Sequence, residues 1–373
     1  MVLVSILGDF DSSIIPVFYQ MRNKITKHIV IYDDFKCDEK EANRIIEGLN
    51  RFKEKYNFQF EQISYKVDED SQKSVILAIA FFHKHCDDFT KLYVNTTDGL
   101  SSFNTYLAFR LLPLGANIIA YDRYDNECNI VTKDGMSNYK VDAIISIQDH
   151  FLLKNLEIFS IGDKAFALQH KELIIKLFET KKLRERYKEF ANYLQTSLTS
   201  NFGEFGDIAP YIKALGIEKE DLKSNLPLIT GGLFEYYIFL KLVQLSYDDI
   251  EIGVTIRHFF DGTDFIPNEF DILIMKNNHL HMIECKYTNR VKLDQLVYKY
   301  MALKHLIDDD GKIIMLTSYD EFMPKIKGTN ETAYMPHKRA KANRMLLLGN
   351  PLHNIDRFIE EVKNFLELED STK

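Results

Sequence analysis

The chain has no tryptophan and only four cysteines, Cys37, Cys86, Cys128 and Cys285, in 373 residues. No two of them form a C-x-x-C pair, and none sits in a Cys/His cluster with zinc spacing. That argues against a disulfide framework and against a structural zinc site. Dispersed thiols without a signal-peptide pattern read as a protein of the reducing cytoplasm. Long apolar runs are missing too. The longest, VILAIAFF at 75–82, falls far short of the ~20 residues a spanning helix needs, so no membrane partner is expected. Positive charge is in deficit: 47 Lys and Arg against 55 Asp and Glu give a net charge of −8. A coat that binds nucleic acid by charge alone is therefore excluded, although a local basic patch is not. There is no G-x-G-x-x-G after the first apolar run and no G-x-x-x-x-G-K-[ST]. A dinucleotide dehydrogenase and a P-loop enzyme drop out.

What is present is ordinary globular material. The chain is 46% hydrophobic, with 27 Phe and 20 Tyr, enough bulk for two cores. At roughly 150 residues per domain the length suggests about two domains. The first third alternates short apolar runs (2–8, 28–34, 58–65, 91–97 and 116–122) with helical spacing such as Ala42, Ile45, Ile46, Leu49 and Phe52. That rhythm predicts an α/β domain with a doubly wound parallel sheet over 1–148. Residues 149–222 are helical in pattern and balanced in charge, and read as a helical connector. Residues 223–373 open with a helix and continue with strands around an Asn277-Asn278 turn. A helix, further strands and a closing helix follow. This predicts an α/β/α plan with a mixed sheet.

The sharpest chemical signal is NEFDILIMKNNHLHMIECKY, 268–287. Asp271 stands on one strand, and Glu284 and Lys286 share a face of the next. Acids and a Lys at the ends of core strands are expensive to place there without a purpose. Two carboxylates can hold a hard divalent cation, and a Lys two residues on can orient or deprotonate a water and stabilise charge on a phosphorane-like transition state. Taken bare, the same spacing reads more readily as a half-exposed salt bridge. Its position on strands, after the apolar Met282-Ile283, favours the metal. Glu235 sits one turn into an otherwise apolar helix. It reads as a favourable first-turn charge or as a further acidic ligand. His279 and His281 share a strand face; they could be metal ligands, but without a third partner they read more readily as surface residues. Between Lys325 and Arg344 six basic residues face one acid, Glu331. This stretch, with Tyr334 for stacking, reads as a phosphate-backbone track or as a solvated helix face.

The run from Gly232 and Glu235 through Asp271 to Glu284-Cys285-Lys286, and on to Leu296-Val-Tyr-Lys299, resembles the PD-(D/E)xK restriction-endonuclease-like domain. More narrowly, it resembles the version in CRISPR ancillary nucleases. Those pair it with an N-terminal CARF domain, a Rossmann-like sensor of cyclic oligoadenylates. Phe270 stands where the motif label has Pro. The resemblance implies catalytic Asp271, Glu284, Lys286 and Glu235, with Mg²⁺ or Mn²⁺ held by Asp271, Glu284 and the Cys285 carbonyl. It also implies ligand loops after the first and fourth strands: Asp9, Phe10, Asp11, Ser12 and Ser13, then Thr96, Thr97, Asp98, Gly99, Leu100, Ser101 and Ser102. The second loop departs from the N-x-T-G-G-T-K pattern at Asp98 and at Ser101-Ser102. Small hydroxyls and helix N-termini suit phosphates and adenine edges, and equally suit simple capping.

The expected activator is cyclic tetra-adenylate, with cyclic hexa-adenylate as rival. An even-numbered ring has two-fold symmetry, which implies a homodimer with the ring on its axis. The expected substrate is single-stranded DNA or RNA, tracked by Arg290, Lys292, Lys338, Arg339 and Arg344. An ungated restriction- or repair-type nuclease and a non-enzymatic nucleotide sensor are the alternatives.

Overall fold

The computed structural model describes residues 1–8, 14–33, 37, 39–67, 71–99, 101–197, 201–260, 264–287, 293–308, 310–318 and 334–370. By contacts the chain divides into two compact units. The first is Met1–Glu157 with Asn277–His279 and Ile307–Asp310; the second is the remainder from Ile158.

The first unit follows the expected rhythm. It runs β1 (Val2–Ile6), α1 (Ile14–Met21), β2 (Lys27–Tyr32), α2 (Glu39–Lys55), β3 (Glu61–Lys66), α3 (Gln72–His85), β4 (Leu92–Asn95), α4 (Ser101–Leu111) and β5 (Asn117–Asp122). β6 (Glu127–Thr132), β7 (Gly135–Lys140) and α5 (Ile147–Leu153) complete it. The sheet order is β3-β2-β1-β4-β5-β6-β7, parallel from β3 to β5 and antiparallel beyond. Central β1 is buried along its whole length, while edge β3 has no fully buried residue. That contrast is what a parallel sheet covered on both faces produces. The order reverses between β1 and β4, so their carboxyl ends flank the crevice where open α/β sheets bind ligands. β6 and β7 carry no sequence signal of their own: β6 buries only Cys128 among half-buried residues and β7 is largely exposed, so neither shows the apolar run that marks a buried strand.

The second unit begins with β8 (Glu157–Ser160), α6 (Lys164–Gln169), α7 (Lys171–Glu179), α8 (Lys181–Thr196), α9 (Ala209–Ala214), α10 (Leu233–Leu242) and β9 (Leu245–Ser246). It continues with β10 (Asp249–Phe260), β11 (Asp264–Lys276), β12 (His279–Lys286), α11 (Leu293–Ile307), β13 (Ile313–Thr317), α12 (Tyr334–Ala342), β14 (Met345–Gly349), α13 (Ile355–Leu366) and β15 (Glu369–Asp370). The mixed sheet has the order β14-β13-β12-β11-β10-β8. Strands β12, β13 and β14 run parallel, and β10 runs antiparallel to β11. Asn277 and Asn278 both adopt left-handed φ, 50° and 61°, the conformation a two-residue hairpin turn requires.

The connector expected over 149–222 is not a separate body. α5 belongs to the first unit, and the helices from 158 onward share one core with the second sheet. Ile174, Leu177, Phe178, Tyr187 and Phe190 pack with Ile272, Ile283 and Leu316. A balanced charge count describes the outer faces of these helices and is blind to their buried stripe.

One backbone feature bears on the site. The β10–β11 register passes from Ile252–Ile272 to Val254–Phe270, leaving Gly253 opposite Asp271. Gly253 has φ 58°, and a Cβ there would meet the Gly162 Cα at 3.3 Å. Gly253→Ala should therefore lower stability by about 1–2 kcal/mol from the left-handed conformation alone. Gly206→Ala, where a Cβ meets nothing within 4 Å, should stay within ~0.5 kcal/mol of the parent. Denaturant unfolding of the two variants checks this; equal midpoints would remove the constraint at Gly253.

Candidate functional site

Alternation along β11 and β12 decides what faces what. Ile272, Ile274, Ile283 and Cys285 enter the helical core. Asp271 and Glu284, at 7% and 3% exposure, belong to the alternate positions. The Cys285 N–H donates to Asp271 Oδ2 at 2.6 Å. The Lys286 ammonium pairs with Glu284 Oε1 and lies 3.8 Å from Asp271 Oδ2. From α11 the Tyr300 hydroxyl donates to Glu284 Oε2. Glu235 stands in the first turn of α10, directly after a π-helical segment, Leu228–Gly232. Its Oε1 would lie 3.5 Å from a Cβ placed on Gly231.

The electrostatics follow from burial. Burial pushes Asp271 well above the ordinary carboxylate range, and Glu284 and Glu235 push the same way, against Lys286 and the Cys285 N–H. Burial and then Glu269 raise Glu235 from 4.5 to about 7. Burial alone would lower Lys286, but Asp271 and Glu284 hold it above its usual value. Lys286 is therefore held as a cation. Burial and then Glu284 raise the Tyr300 hydroxyl, keeping it a donor.

Asp271 and Glu284 thus share one ammonium, whose charge Glu235 also feels, and their donors are hard oxygens of the kind Mg²⁺ or Mn²⁺ takes. Among the described residues no group of three or more His, Cys, Asp or Glu is arranged to hold a metal. Lys286 already occupies the space between Asp271 and Glu284.

The other expected residues divide. Residues 9–13, Leu100, Arg290 and Lys292 lie outside the described residues. So do Lys325 and Lys327, and nothing is described of the Tyr334 side chain. Lys338 and Arg339 are on α12, with the Arg339 guanidinium 5.2 Å from the Tyr298 ring centre. Arg344, with φ 56°, turns the chain into β14.

In the loop after β4, Thr97 Oγ1 donates to Asn95 Oδ1 at 2.6 Å and accepts from the Tyr121 N–H at 2.8 Å. Thr97 therefore holds the loop. Asn104 Nδ2 donates to the carbonyls of Thr96 and Asp98 at 3.0 and 2.6 Å. Gly99 takes φ 92°. Ser101 and Ser102 are exposed at the start of α4. Asp98 pairs with Arg123, which also donates to Asp310 at 3.0 Å.

The two histidines are not surface residues. His281 is buried and its Nδ1 accepts from the Lys312 N–H at 3.0 Å. His279 bonds the Arg123 carbonyl through Nε2 at 2.9 Å and lies 3.5 Å from Asp308. Tyr300, Asn104 and Arg123 escaped the sequence analysis. A weak signal existed for Arg123 alone, since it directly follows β5.

Residues 223–363 match the family model for the Card1-like endonuclease domain. This is the segment whose motifs carry the sequence resemblance to CRISPR ancillary nucleases. Protein VC1899 from Vibrio cholerae is similar in structure, with a TM-score of 0.76, 14% identity and coverage of 98% of each chain. Can2 from Sulfobacillus thermosulfidooxidans, solved in complex with cyclic tetra-adenylate, is similar at a TM-score of 0.67 and 15% identity over 96% of this chain and 98% of that one. At these identities the likeness is one of fold, and it spans both units. No curated protein matches the chain.

Glu235 supplies a pH test. Between its ordinary 4.5 and about 7, the folded chain holds a proton that the unfolded chain has lost. Its contribution is fully present below the unfolded value and is lost as pH rises through that window. In chelator-treated protein, the difference in stability between the parent and Glu235→Gln should shrink or reverse across the window. A difference that stays constant with pH would show that Glu235 titrates normally.

Proposed function

We propose that the chain is a metal-dependent endonuclease switched on by a cyclic oligoadenylate. The observation that carries this is the gathering of Glu235, Asp271, Glu284 and Lys286 within the segment that matches an endonuclease domain. In this reading 1–148 is the sensor and 223–373 the nuclease, with the helices from 158 onward packed into the nuclease core. The activator is cyclic tetra-adenylate, with cyclic hexa-adenylate as rival, bound at the crevice between the β1 and β4 ends of a homodimer. The fold likeness to Can2, whose structure holds cyclic tetra-adenylate, supports that assignment.

Asp271, Glu284 and the Cys285 carbonyl would hold Mg²⁺ or Mn²⁺, which would polarise the scissile phosphodiester as a Lewis acid. The Cys285 N–H and the Tyr300 hydroxyl fix the two carboxylates in place. Lys286 stays protonated, orients the attacking water and stabilises the charge that builds on the phosphoryl oxygens. Water adds to phosphorus, one P–O ester bond breaks, and the proton lost by water ends on the departing alkoxide. The substrate is single-stranded DNA or RNA, read with little base specificity.

Cleavage of single-stranded and duplex DNA and RNA, with Mg²⁺ or Mn²⁺ and with or without each ring, tests the reading. Asp271→Asn and Lys286→Ala should each lose at least ~100-fold of the ring-stimulated rate, the order of a removed transition-state contact. Calorimetry should give one ring per two chains. Parent-rate cleavage by Lys286→Ala would overturn the nuclease centre. A stoichiometry of one ring per chain would overturn the shared sensor site.

A further inference from the structure

The parallel strands β12, β13 and β14 end in step: Lys286 pairs with Thr317, and Thr317 with Gly349. The next residue on each strand, Tyr287, Ser318 and Asn350, lines a single cavity of about 220 Å³. At about 30 Å³ per water, that is room for roughly seven waters or a solvated phosphate. The facing wall is the first half of α8, where Lys181, Arg184 and Lys188 share one helix face. One carboxylate, Glu185, also lines the cavity, so positive charge prevails.

Two features mark the cavity as built for an anion. Arg184 donates to the Phe178 and Leu352 carbonyls at 3.0 and 2.9 Å. Backbone therefore fixes the guanidinium, and among the described residues neither Arg184 nor Lys181 has an ion pair. Ser318 is 5% exposed, and its Oγ lacks a hydrogen-bond partner among the described residues. The Ser318 N–H is already engaged by the Lys286 carbonyl at 3.0 Å. A buried hydroxyl left unpaired is costly, and an anion's oxygen would satisfy it. The carboxyl edge of parallel strands, faced by a helix N-terminus with Lys and Arg, is the setting in which phosphates are held.

We propose that this cavity binds a backbone phosphate of the nucleic-acid strand beside the bond being cut. The proposal rests on the nuclease reading and adds a substrate subsite at the same strand edge as Lys286, on the sheet face that carries the helical core. Lys181 and Lys188 supply long-range charge, Arg184 the fixed fork, and Ser318 the buried donor.

The test uses the full chain with its activating ring and a single-stranded substrate at two salt concentrations. Lys181→Glu with Lys188→Glu should raise KM about 10-fold, keep kcat within about twofold, and reduce the salt slope by about one unit. Lys181→Arg with Lys188→Arg should restore the parent KM, and Ser318→Ala should raise KM a few-fold. An unchanged KM and salt slope in the charge-reversed chain, with the parent cutting normally, overturns this proposal alone. A parent that cuts no strand overturns the nuclease reading and the subsite with it. Inorganic phosphate and a mononucleotide give the second arm. If either shields Lys181 and Lys188 from acylation while the strand does not, the cavity takes free phosphate, and the strand subsite is wrong.

Discussion

Asp271 is a buried carboxyl group in the middle of β11, and several features of the second unit serve to hold it there. An unpaired buried charge costs several kcal/mol. Asp271 is held by the Cys285 N–H and by Lys286, and Lys286 is in turn shared with Glu284. The two-residue turn at Asn277-Asn278 sets Lys276 against His279. Counted back along both strands, it brings Asp271 against Glu284. Like charges directly across a ladder repel. Lys286, two residues on and on the same face, relieves that repulsion. A slip of one residue in the hairpin would turn Glu284 into the helical core and Cys285 out of it. Turn chemistry, strand register and the charged cluster are therefore a single constraint, and Gly253 opposite Asp271 extends it to β10.

This coupling also explains what could be read from residue order. The strands of the first third announce themselves as apolar runs because a covered parallel sheet needs both faces apolar. The Asn-Asn turn and the D…E-x-K spacing are local patterns: the turn joins the strands expected, while Asp271, read as opening its strand, lies in the middle of β11. Tyr300 was not legible. It sits in α11 among residues such as Val297 and Leu303 that also face inward, and nothing in a helical pattern separates a packing tyrosine from one that donates to a carboxylate. Thr97 was legible as a loop hydroxyl but not as one already occupied, because its partners Asn95 and Tyr121 meet it only through the sheet. His281 looked like a surface residue because alternation gives a face and not a depth. The packing of α6 to α9 onto the second sheet is tertiary information that a charge count cannot hold.

The loop after β4 is tied down by its own side chains. Asn104 ties two of its carbonyls, Thr97 ties its ends to β4 and β5, and Gly99 takes a conformation disfavoured with a Cβ. Arg123 neutralises Asp98, so a phosphate approaching this edge would not meet a bare carboxylate. A loop ordered in advance does not have to be ordered on binding. Thr96 and Thr97 therefore hold the frame of this loop, which leads into the exposed first turn of α4.

The remaining difficulty is how an acidic chain would hold a polyanion. Net charge acts at distances that salt screens beyond about 8–10 Å, so it governs approach more than local seating. At the candidate centre itself, Asp271 and Glu284 are almost wholly buried, whereas the Lys286 side chain keeps 31% of its surface exposed. A strand reaching the carboxyl edge of β12 would therefore meet the ammonium before the carboxylates. At the same carboxyl edge, on the sheet face that carries the helical core, Lys181, Arg184 and Lys188 line the cavity. Binding would then depend on where the cations of the second unit are placed and very little on their total. That separates this arrangement from a basic coat.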